Sequence, residues 1–313
     1  MNDDNFNRLA SLENKKSDLS VIATYQFTLD GNGNRTQGVQ NEPLVPTIPV
    51  GTTAYTYNTQ KNRLLSAGAA SFTYDNEGQL NSGYGSSYTF DYEHRLIGIG
   101  SSYQFSYDGS GNRLQAVRSG VVTLYIYDAA GNLLAEADGQ NNITRYYVYG
   151  LGLLAMVTPS DQVYCYHFNA VGSTISMTDQ NQAVVNKYAY DPFGNIANQV
   201  EAVAQPFKFV GQFAVMTEPN GFYYMRARYY DPGVGRFISE DPSGFDGGDV
   251  TGDERAFAGE QKKDRQPCQC GQPCRRRFKR FARDIHRARS FSVPAGKSRN
   301  WCRRAARRRY PRR

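Results

Sequence analysis

This chain of 313 residues has no long apolar run, and only one of its five cysteines precedes residue 251. Its length is sufficient for two modest domains or one large β domain. The longest apolar stretch, Val148 to Val157, is too short for a transmembrane helix of roughly 20 residues, so no membrane insertion is predicted. The acidic start, Met1 to Asp4, leads into no apolar segment, and we expect no ordinary secretory signal peptide. Only Cys165 precedes residue 251, so no disulfide within the body of the chain indicates its compartment.

Charge divides the chain into two parts. Residues 1–250 hold 15 Lys and Arg against 24 Asp and Glu, whereas residues 251–313 hold 21 against 5. The net charge of +7 therefore describes neither part. An acidic, tyrosine-rich body is followed by a strongly basic tail.

A turn motif recurs through the body at intervals of 16 to 22 residues, and its full form is Tyr-Asp-x-x-Gly-Asn-x-Leu. Aspartate at position i can accept backbone N–H groups, and glycine at i+3 can take the left-handed conformation that closes a bulged hairpin. The motif therefore predicts a tight turn at each copy. The predicted turn pairs are Asp75 and Gly78, Asp108 and Gly111, Asp128 and Gly131, and Asp191 and Gly194.

Aromatic residues alternate with other residues before each turn, as in Tyr103, Phe105 and Tyr107. A period of two is the strand period and places the aromatic side chains of one run on one face. No long stretch shows the spacing of an amphipathic helix. We therefore predict an all-β fold of about ten hairpins over residues 20–200. Because a lone hairpin is marginal in water, the hairpins must pair side by side into one curved sheet.

These residues carry a resemblance to a known family. The repeated motif resembles the YD repeat of Rhs proteins, teneurins and the C component of insecticidal Tc toxins. The segment from Gly221 to Gly244, which contains Arg-Tyr-Tyr-Asp-Pro and Gly-Arg-Phe-Ile-Ser-Glu-Asp-Pro, is similar to the signature that closes the Rhs repeat-associated core. On this basis residues 1–200 are interpreted as YD repeats, 201–248 as the core signature and 249–313 as a variable tail.

The resemblance implies a β-strand spiral that forms a hollow shell around a C-terminal toxin cargo. The chain is then a non-enzymatic wall segment, a truncated or displaced copy that begins inside a repeat and leaves its inner aromatic wall exposed. The implied partners are its own upstream YD repeats, a toxin cargo, an export apparatus and a cognate immunity protein, with a secreted or cell-surface location. No cofactor is expected. A carbohydrate-binding surface module is the alternative, and outward-facing tyrosine rows would favour it.

Family analogy also raises self-cleavage by aspartates, and Asp231 and Asp241 are the carboxylates in the matching stretch. Two acids in one arginine-rich corner could share a proton, as in aspartic proteases. Each is followed by proline, so both also suit plain turns. The sequence after Gly248 lacks the features that adjoin the cleavage point in the family, which leaves enzymatic activity undecided.

The basic tail holds 17 arginines and four of the five cysteines, with almost no alternating apolar pattern. Such charge blocks repel themselves, and a disordered or frame-shifted tail is the main interpretation. A phosphate-binding tail that targets nucleic acid and a folded toxin are the alternatives. Cys268, Cys270 and Cys274 are weak metal candidates, because structural zinc sites usually pair two cysteine knuckles at a set distance.

Overall fold

The structure is a computed structural model that describes residues 2–59 and 62–241. This part of the chain is almost entirely β, with one short 3-10 helix at Gly211–Phe213. Its strands are β1 (Asn2–Asp3), β2 (Leu9–Lys15), β3 (Val21–Leu29), β4 (Arg35–Asn41), β5 (Tyr55–Tyr57), β6 (Leu64–Ala67), β7 (Ala70–Tyr74), β8 (Leu80–Gly83), β9 (Ser86–Phe90), β10 (Leu96–Ile99), β11 (Tyr103–Tyr107), β12 (Arg113–Arg118), β13 (Val121–Tyr127), β14 (Leu133–Asp138), β15 (Ile143–Tyr149), β16 (Leu153–Val157), β17 (Val163–Phe168), β18 (Thr174–Thr178), β19 (Val184–Tyr190), β20 (Ile196–Glu201), β21 (Met216–Thr217), β22 (Tyr223–Tyr224), β23 (Tyr229–Asp231) and β24 (Arg236–Phe237).

Strands β5 to β20 form a single 16-stranded sheet in which every strand pairs with its neighbours in sequence. All pairings within it are antiparallel, for example Phe105 opposite Ala116 and Tyr125 opposite Glu136. This order is what consecutive hairpins produce, and it confirms the predicted all-β fold of paired hairpins.

The turns follow one local design, which the hairpin at Asp108 illustrates. One carboxylate oxygen of Asp108 accepts the backbone N–H of Ser110 and of Asn112, each at 2.8 Å. The N–H of Gly111 donates to the carbonyl of Asp108 at 3.0 Å, and Gly111 has φ of +82°. The next strand starts with a β-bulge, because Tyr107 pairs with Arg113 and Ser106 pairs with Gln115, which leaves Leu114 as the additional residue.

At the opposite rim of the sheet, the last three turns (β14–β15, β16–β17 and β18–β19) use the same backbone turn without glycine at the left-handed position. Asn141, Asp161 and Gln182 occupy the left-handed position there, with φ of 65°, 61° and 67°. Asp138 caps the first of these turns by accepting the N–H groups of Gln140 and Asn142. The sequence motif did not identify these turns, because it required glycine at i+3.

A separate sheet precedes the large one and has the order β1-β2-β3-β4. Its first turn lies within the chain: Asp4 accepts the N–H groups of Phe6 and Arg8, and Asn7 takes the left-handed conformation. Asp4 therefore fills the aspartate position of this turn without a preceding tyrosine.

After β20 the chain turns back across one face of the large sheet, which we call the inner face. Phe207, Met216, Phe222, Tyr224, Tyr229 and Ile238 are buried in one cluster with the aromatic side chains of the hairpins. We call residues 201–241 the C-terminal segment, and it ends with the small sheet β21-β22-β23-β24. The expectation of an exposed inner aromatic wall is wrong here, because this segment covers it.

No helix in residues 2–59 and 62–241 is long and apolar enough to cross a membrane.

Candidate functional site

Aromatic side chains of the hairpins hold the C-terminal segment on the inner face. The rings of Tyr147 and Phe207 meet edge to face with centroids 4.9 Å apart. Along the sheet, Phe105 contacts Tyr229 at 5.6 Å. Such pairs contribute about 0.5–1.5 kcal/mol each beyond the burial of their area. The alternating aromatic residues of the sequence therefore form the surface on which the C-terminal segment packs.

An ion cluster lies inside this apolar contact. Arg113 of β12 and Glu218, which follows β21, are both fully buried and hydrogen-bonded to each other. Arg118 reaches the second carboxylate oxygen of Glu218 at 2.6 Å. Burial alone would raise the pKa of Glu218, but the two guanidinium groups outweigh it and hold that pKa below its usual value. Glu218 is therefore a charged anchor of the C-terminal segment.

Aromatic rings surround the guanidinium of Arg113. It lies 4.3 Å from the ring centroid of Tyr224 and 4.8 Å from that of Tyr125, and it donates to the hydroxyl of Tyr229 at 3.0 Å. A cation over desolvated rings gains about 2 kcal/mol. Sequence reasoning missed Arg113 and Glu218. The only available signal was an arginine at the position that Leu133 and Leu153 occupy in later repeats.

Asp231, at the end of β23, is nearly fully buried. Its carboxylate accepts the hydroxyl of Tyr84 at 2.8 Å and the N–H of Gly233 at 2.9 Å. Burial raises the pKa of this carboxyl, and these hydrogen bonds only partly oppose the rise. Asp231 therefore joins the C-terminal segment to the turn between β8 and β9.

Asp241 has a different setting, since its side chain is 40% exposed and pairs with Arg228 at 3.0 Å. The contacts described for Asp231 and Asp241 thus involve different partners. Whether the two carboxyls act together in a self-cleavage reaction stays a prediction.

The four predicted turn pairs all lie at hairpin turns. The aspartate carbonyl accepts the N–H of the paired glycine in each, from Asp75 and Gly78 through Asp191 and Gly194. Hydrogen bonds from the backbone N–H and then the side chain of Asn132 lower the pKa of Asp128. At Gly194, with φ of +95°, a Cβ atom would lie 2.7 Å from the ring of Phe209. This turn thus also touches the C-terminal segment.

The metal candidates Cys268, Cys270 and Cys274 lie outside the described residues, as does the basic tail. Within residues 2–59 and 62–241, no group of three or more His, Cys, Asp or Glu side chains could hold a metal ion.

The fold and this inner-face contact define a class: a β-hairpin repeat protein whose own C-terminal segment packs on the aromatic face of its sheet. A family model, the teneurin YD-shell, matches residues 4–253. The chain belongs to the teneurin YD-shell family, as the resemblance to Rhs and YD-repeat proteins predicted.

Curated relatives share the same region. The tRNA nuclease WapA of Bacillus subtilis strain 168 is 34% identical over 247 residues, which cover 74% of this chain and 10% of the relative. The double-stranded DNA deaminase toxin A of Burkholderia cenocepacia is 32% identical over 146 residues, or 43% of this chain and 10% of the relative. The chain thus spans about a tenth of these relatives. Among solved structures, the crystal structure of TcdB2-TccC3 matches with a TM-score of 0.44 and 17% identity, over 76% of this chain and 17% of that one.

Proposed function

We propose that this chain is a non-enzymatic wall segment of an Rhs-type shell that encloses or presents a C-terminal toxin cargo. The observation that carries the proposal is the docking of the C-terminal segment on the inner face. Phe207 and Glu218 are fully buried there, so the stretch that leads to residue 242 is fixed to the wall. Residues 201–248 then act as the joint between YD repeats and cargo.

The names of the relatives support a toxin context. They include nucleases, a deaminase toxin and the toxin protein Tse5 of Pseudomonas aeruginosa, which is 34% identical over 83 residues, covering 26% of this chain and 6% of the relative. In this proposal the upstream partner is further YD repeats, and the cargo is exported to act between cells. An export apparatus and an immunity protein complete the set of expected partners.

The direction of the tyrosine rows favours a wall over the alternative of a carbohydrate-binding module. Tyr125, Tyr147 and Tyr166 are buried beneath the C-terminal segment and offer no exposed ring for a sugar to stack on. The second alternative, a tail that targets nucleic acid, concerns residues outside those described.

Limited proteolysis of the full chain, read by intact mass, tests the wall proposal. We expect one resistant fragment that retains residues 201–241 and is cut beyond residue 241. In Phe207→Ala, residues 201–241 are expected to be cut early, because Phe207 is fully buried between sheet and segment. Val200→Ala is the matched control, since this residue is 53% exposed on the edge strand β20.

If the protease removed residues 201–241 of the unmodified chain as fast as it removes the residues beyond 241, the proposal would be contradicted. Binding of the resistant fragment to a glycan array would favour the carbohydrate alternative instead.

Self-cleavage is a second candidate function, and the buried carboxyl of Asp231 favours it. A carboxyl with a raised pKa retains its proton at a higher pH than an exposed one, which suits a general acid. Intact mass of the purified chain after incubation tests this candidate. A cut beyond residue 241 that is abolished by Asp231→Asn and by Asp241→Asn supports it, and an uncut parent chain contradicts it.

A further inference from the structure

The outer face of the large sheet, opposite the inner face, changes its chemistry along the strands. From β7 to β11 the side chains that alternate to the outer face are polar: Ser71, Thr73, Ser82, Ser87, Thr89, Gln104 and Ser106; the bulge residue Ile97, 37% exposed, is the apolar exception. Two of them, Thr73 and Ser82, are hydrogen-bonded across the strands at 2.6 Å. This stretch, the hydroxyl face, is suited to water.

From β12 to β16 the same outer positions are almost all apolar. They are Gln115, Val117, Val122, Leu124, Ile126, Ala135, Ala137, Ile143, Tyr146, Val148, Ala155 and Val157, and none is charged. We call this stretch the aliphatic face. Strands that are buried on both sides show this composition, whereas strands with one wet face alternate apolar with polar residues.

The bulge residue that follows each turn adds to the aliphatic face. Leu114, Leu134 and Leu154 hold this position in β12, β14 and β16, and they are 44%, 41% and 41% exposed. Their equivalent in β18 is Ile175, which is fully buried. Leu65 of β6 and Ile97 of β10 also hold this position and are 42% and 37% exposed, so one repeat position is exposed in five hairpins and covered at β18.

The cover over Ile175 is another hairpin sheet. Ile175 forms a separate cluster with Ala23 and Tyr25 of β3, and Leu12 and Phe27 pack against it. Asn14 of β2 also donates to the carbonyl of Phe168 at 3.0 Å. The outer side of this sheet is therefore already buried by sheet-on-sheet packing at β18, and the aliphatic face continues from that interface.

We propose that the aliphatic face is an interface that packs against the same face of a second copy of this chain. An uncharged aliphatic sheet face is complementary to such a surface. In the described residues, β2 and β3 are already engaged at β18, and the fully exposed β4 presents Arg35, Gln37 and Gln40. The aliphatic face itself has the required composition. Two copies of it bring no like charges together, and a closed two-fold pair is the commonest assembly.

The dimensions of the face set the strength of this association. Five strands at about 4.8 Å spacing span about 20 Å, and two such faces pack about 10 Å apart. The area of this face is smaller than the roughly 800 Å² that each partner buries in stable complexes. We therefore expect the dimer to form only at high protein concentration. The proposal is independent of the wall function and adds a partner to it.

Analytical ultracentrifugation of the full chain tests the proposal, with protein from about 1 to 300 μM in 0.5 M salt. High salt screens the basic tail but does not weaken apolar contact. We expect a monomer at the low end and a growing dimer fraction at the high end. Ile126→Glu, which places two carboxylates in the apolar interface of the dimer, should weaken association at least tenfold.

Thr89→Glu is the matched control, because it adds the same charge to an exposed position of the hydroxyl face. It should leave association unchanged. Hydroxyl-radical footprinting of the parent chain at high concentration should protect Leu114, Leu134 and Leu154, and circular dichroism checks that both variants are folded.

A chain that stays monomeric up to 300 μM would overturn the proposal. So would a dimer that Ile126→Glu leaves intact, or protection confined to other surfaces. None of these results would affect the proteolysis test of the wall, so the two proposals can fail separately.

Discussion

The hydroxyl face and the aliphatic face belong to one sheet and are built from the same repeat. They differ in the outer side chains, which the repeat motif does not specify. Beneath both, inward aromatic side chains such as Phe105 and Tyr125 keep the same alternation and join the same core cluster. Above them, Ser and Thr on one stretch correspond to Val, Leu and Ile on the other. The repeat thus determines the turn and the inner face, whereas the outer side chains can vary with what covers each part of the wall.

This comparison predicts that inner-face changes cost far more stability than outer-face changes, and Glu218→Ala gives the largest expected loss. It leaves Arg113 buried without its carboxylate, which costs about 3–5 kcal/mol in free energy of unfolding. Urea denaturation of the full chain measures the loss. Replacing Arg113 and Glu218 together by Met and Leu should recover most of it, and a double variant as unstable as the single one would contradict the assignment.

Phe207→Ala removes a fully buried ring that contacts Tyr147 and Tyr166 on the inner face. The lost burial and the cavity together cost about 3–5 kcal/mol. Thermal denaturation followed by near-ultraviolet circular dichroism reports it. A loss below about 1 kcal/mol would mean that the C-terminal segment does not seal the inner face, and the contrast between faces would fail.

Gly194→Ala tests whether the turns belong with the inner face. The left-handed backbone there costs about 1–2 kcal/mol for alanine, and contact with Phe209 adds to it. Gly109→Ala is the control, because nothing lies within 4 Å of its added Cβ and its φ is not positive. Equal unfolding midpoints for the two variants would show that the left-handed conformation at Gly194 does not affect the stability of the fold.

Asp231→Asn should raise stability at neutral pH. The folded-state pKa of Asp231 lies above its unfolded value near 3.9, so the folded form binds the proton more tightly. Stability therefore falls as pH rises from about 4 through the raised pKa, and the neutral amide removes this loss. Denaturation at pH 4 and pH 7 should show a gain for the variant at pH 7 only. A gain of the same size at both pH values would argue against a titrating Asp231.

Exchanging the two outer faces gives the smallest expected effect on folding. Ile126→Thr and Thr89→Val should each change the free energy of unfolding by less than about 0.5 kcal/mol, as surface substitutions usually do. They should act differently on association, which Ile126→Thr weakens and Thr89→Val leaves unchanged. A large stability loss in Ile126→Thr would show that the aliphatic face is part of the monomer core.

Much of this fold can be predicted from local sequence, because neighbouring residues determine both the turns and the period-two pattern of aromatic side chains. Asp108 and Gly111 specify their hairpin without help from distant parts of the chain, and Tyr103, Phe105 and Tyr107 specify their face. The contacts of Arg113 and Glu218 are different, since 105 residues separate them and no local pattern links them.

The same limit explains the errors. The burial of the aromatic wall depends on where residues 201–241 return, which is a tertiary outcome. The turn at Asp4 escapes the motif because asparagine replaces glycine at Asn7. Small polar residues can also take the left-handed conformation, so a motif that requires glycine overlooks turns such as that of Asp138 and Asn141.

The bulges have a consequence for the shape of the whole strip. Among the described pairings of the large sheet, every hairpin closed at the Asp-x-x-Gly rim carries a register shift, whereas at the other rim only β14–β15 and β18–β19 do. Each additional residue bends and twists its strand locally. Because the additional bulge residues lie mainly along one rim, the bends that they introduce add up in one direction along the sheet. Adding hairpins of this kind would therefore coil the ribbon rather than extend it straight.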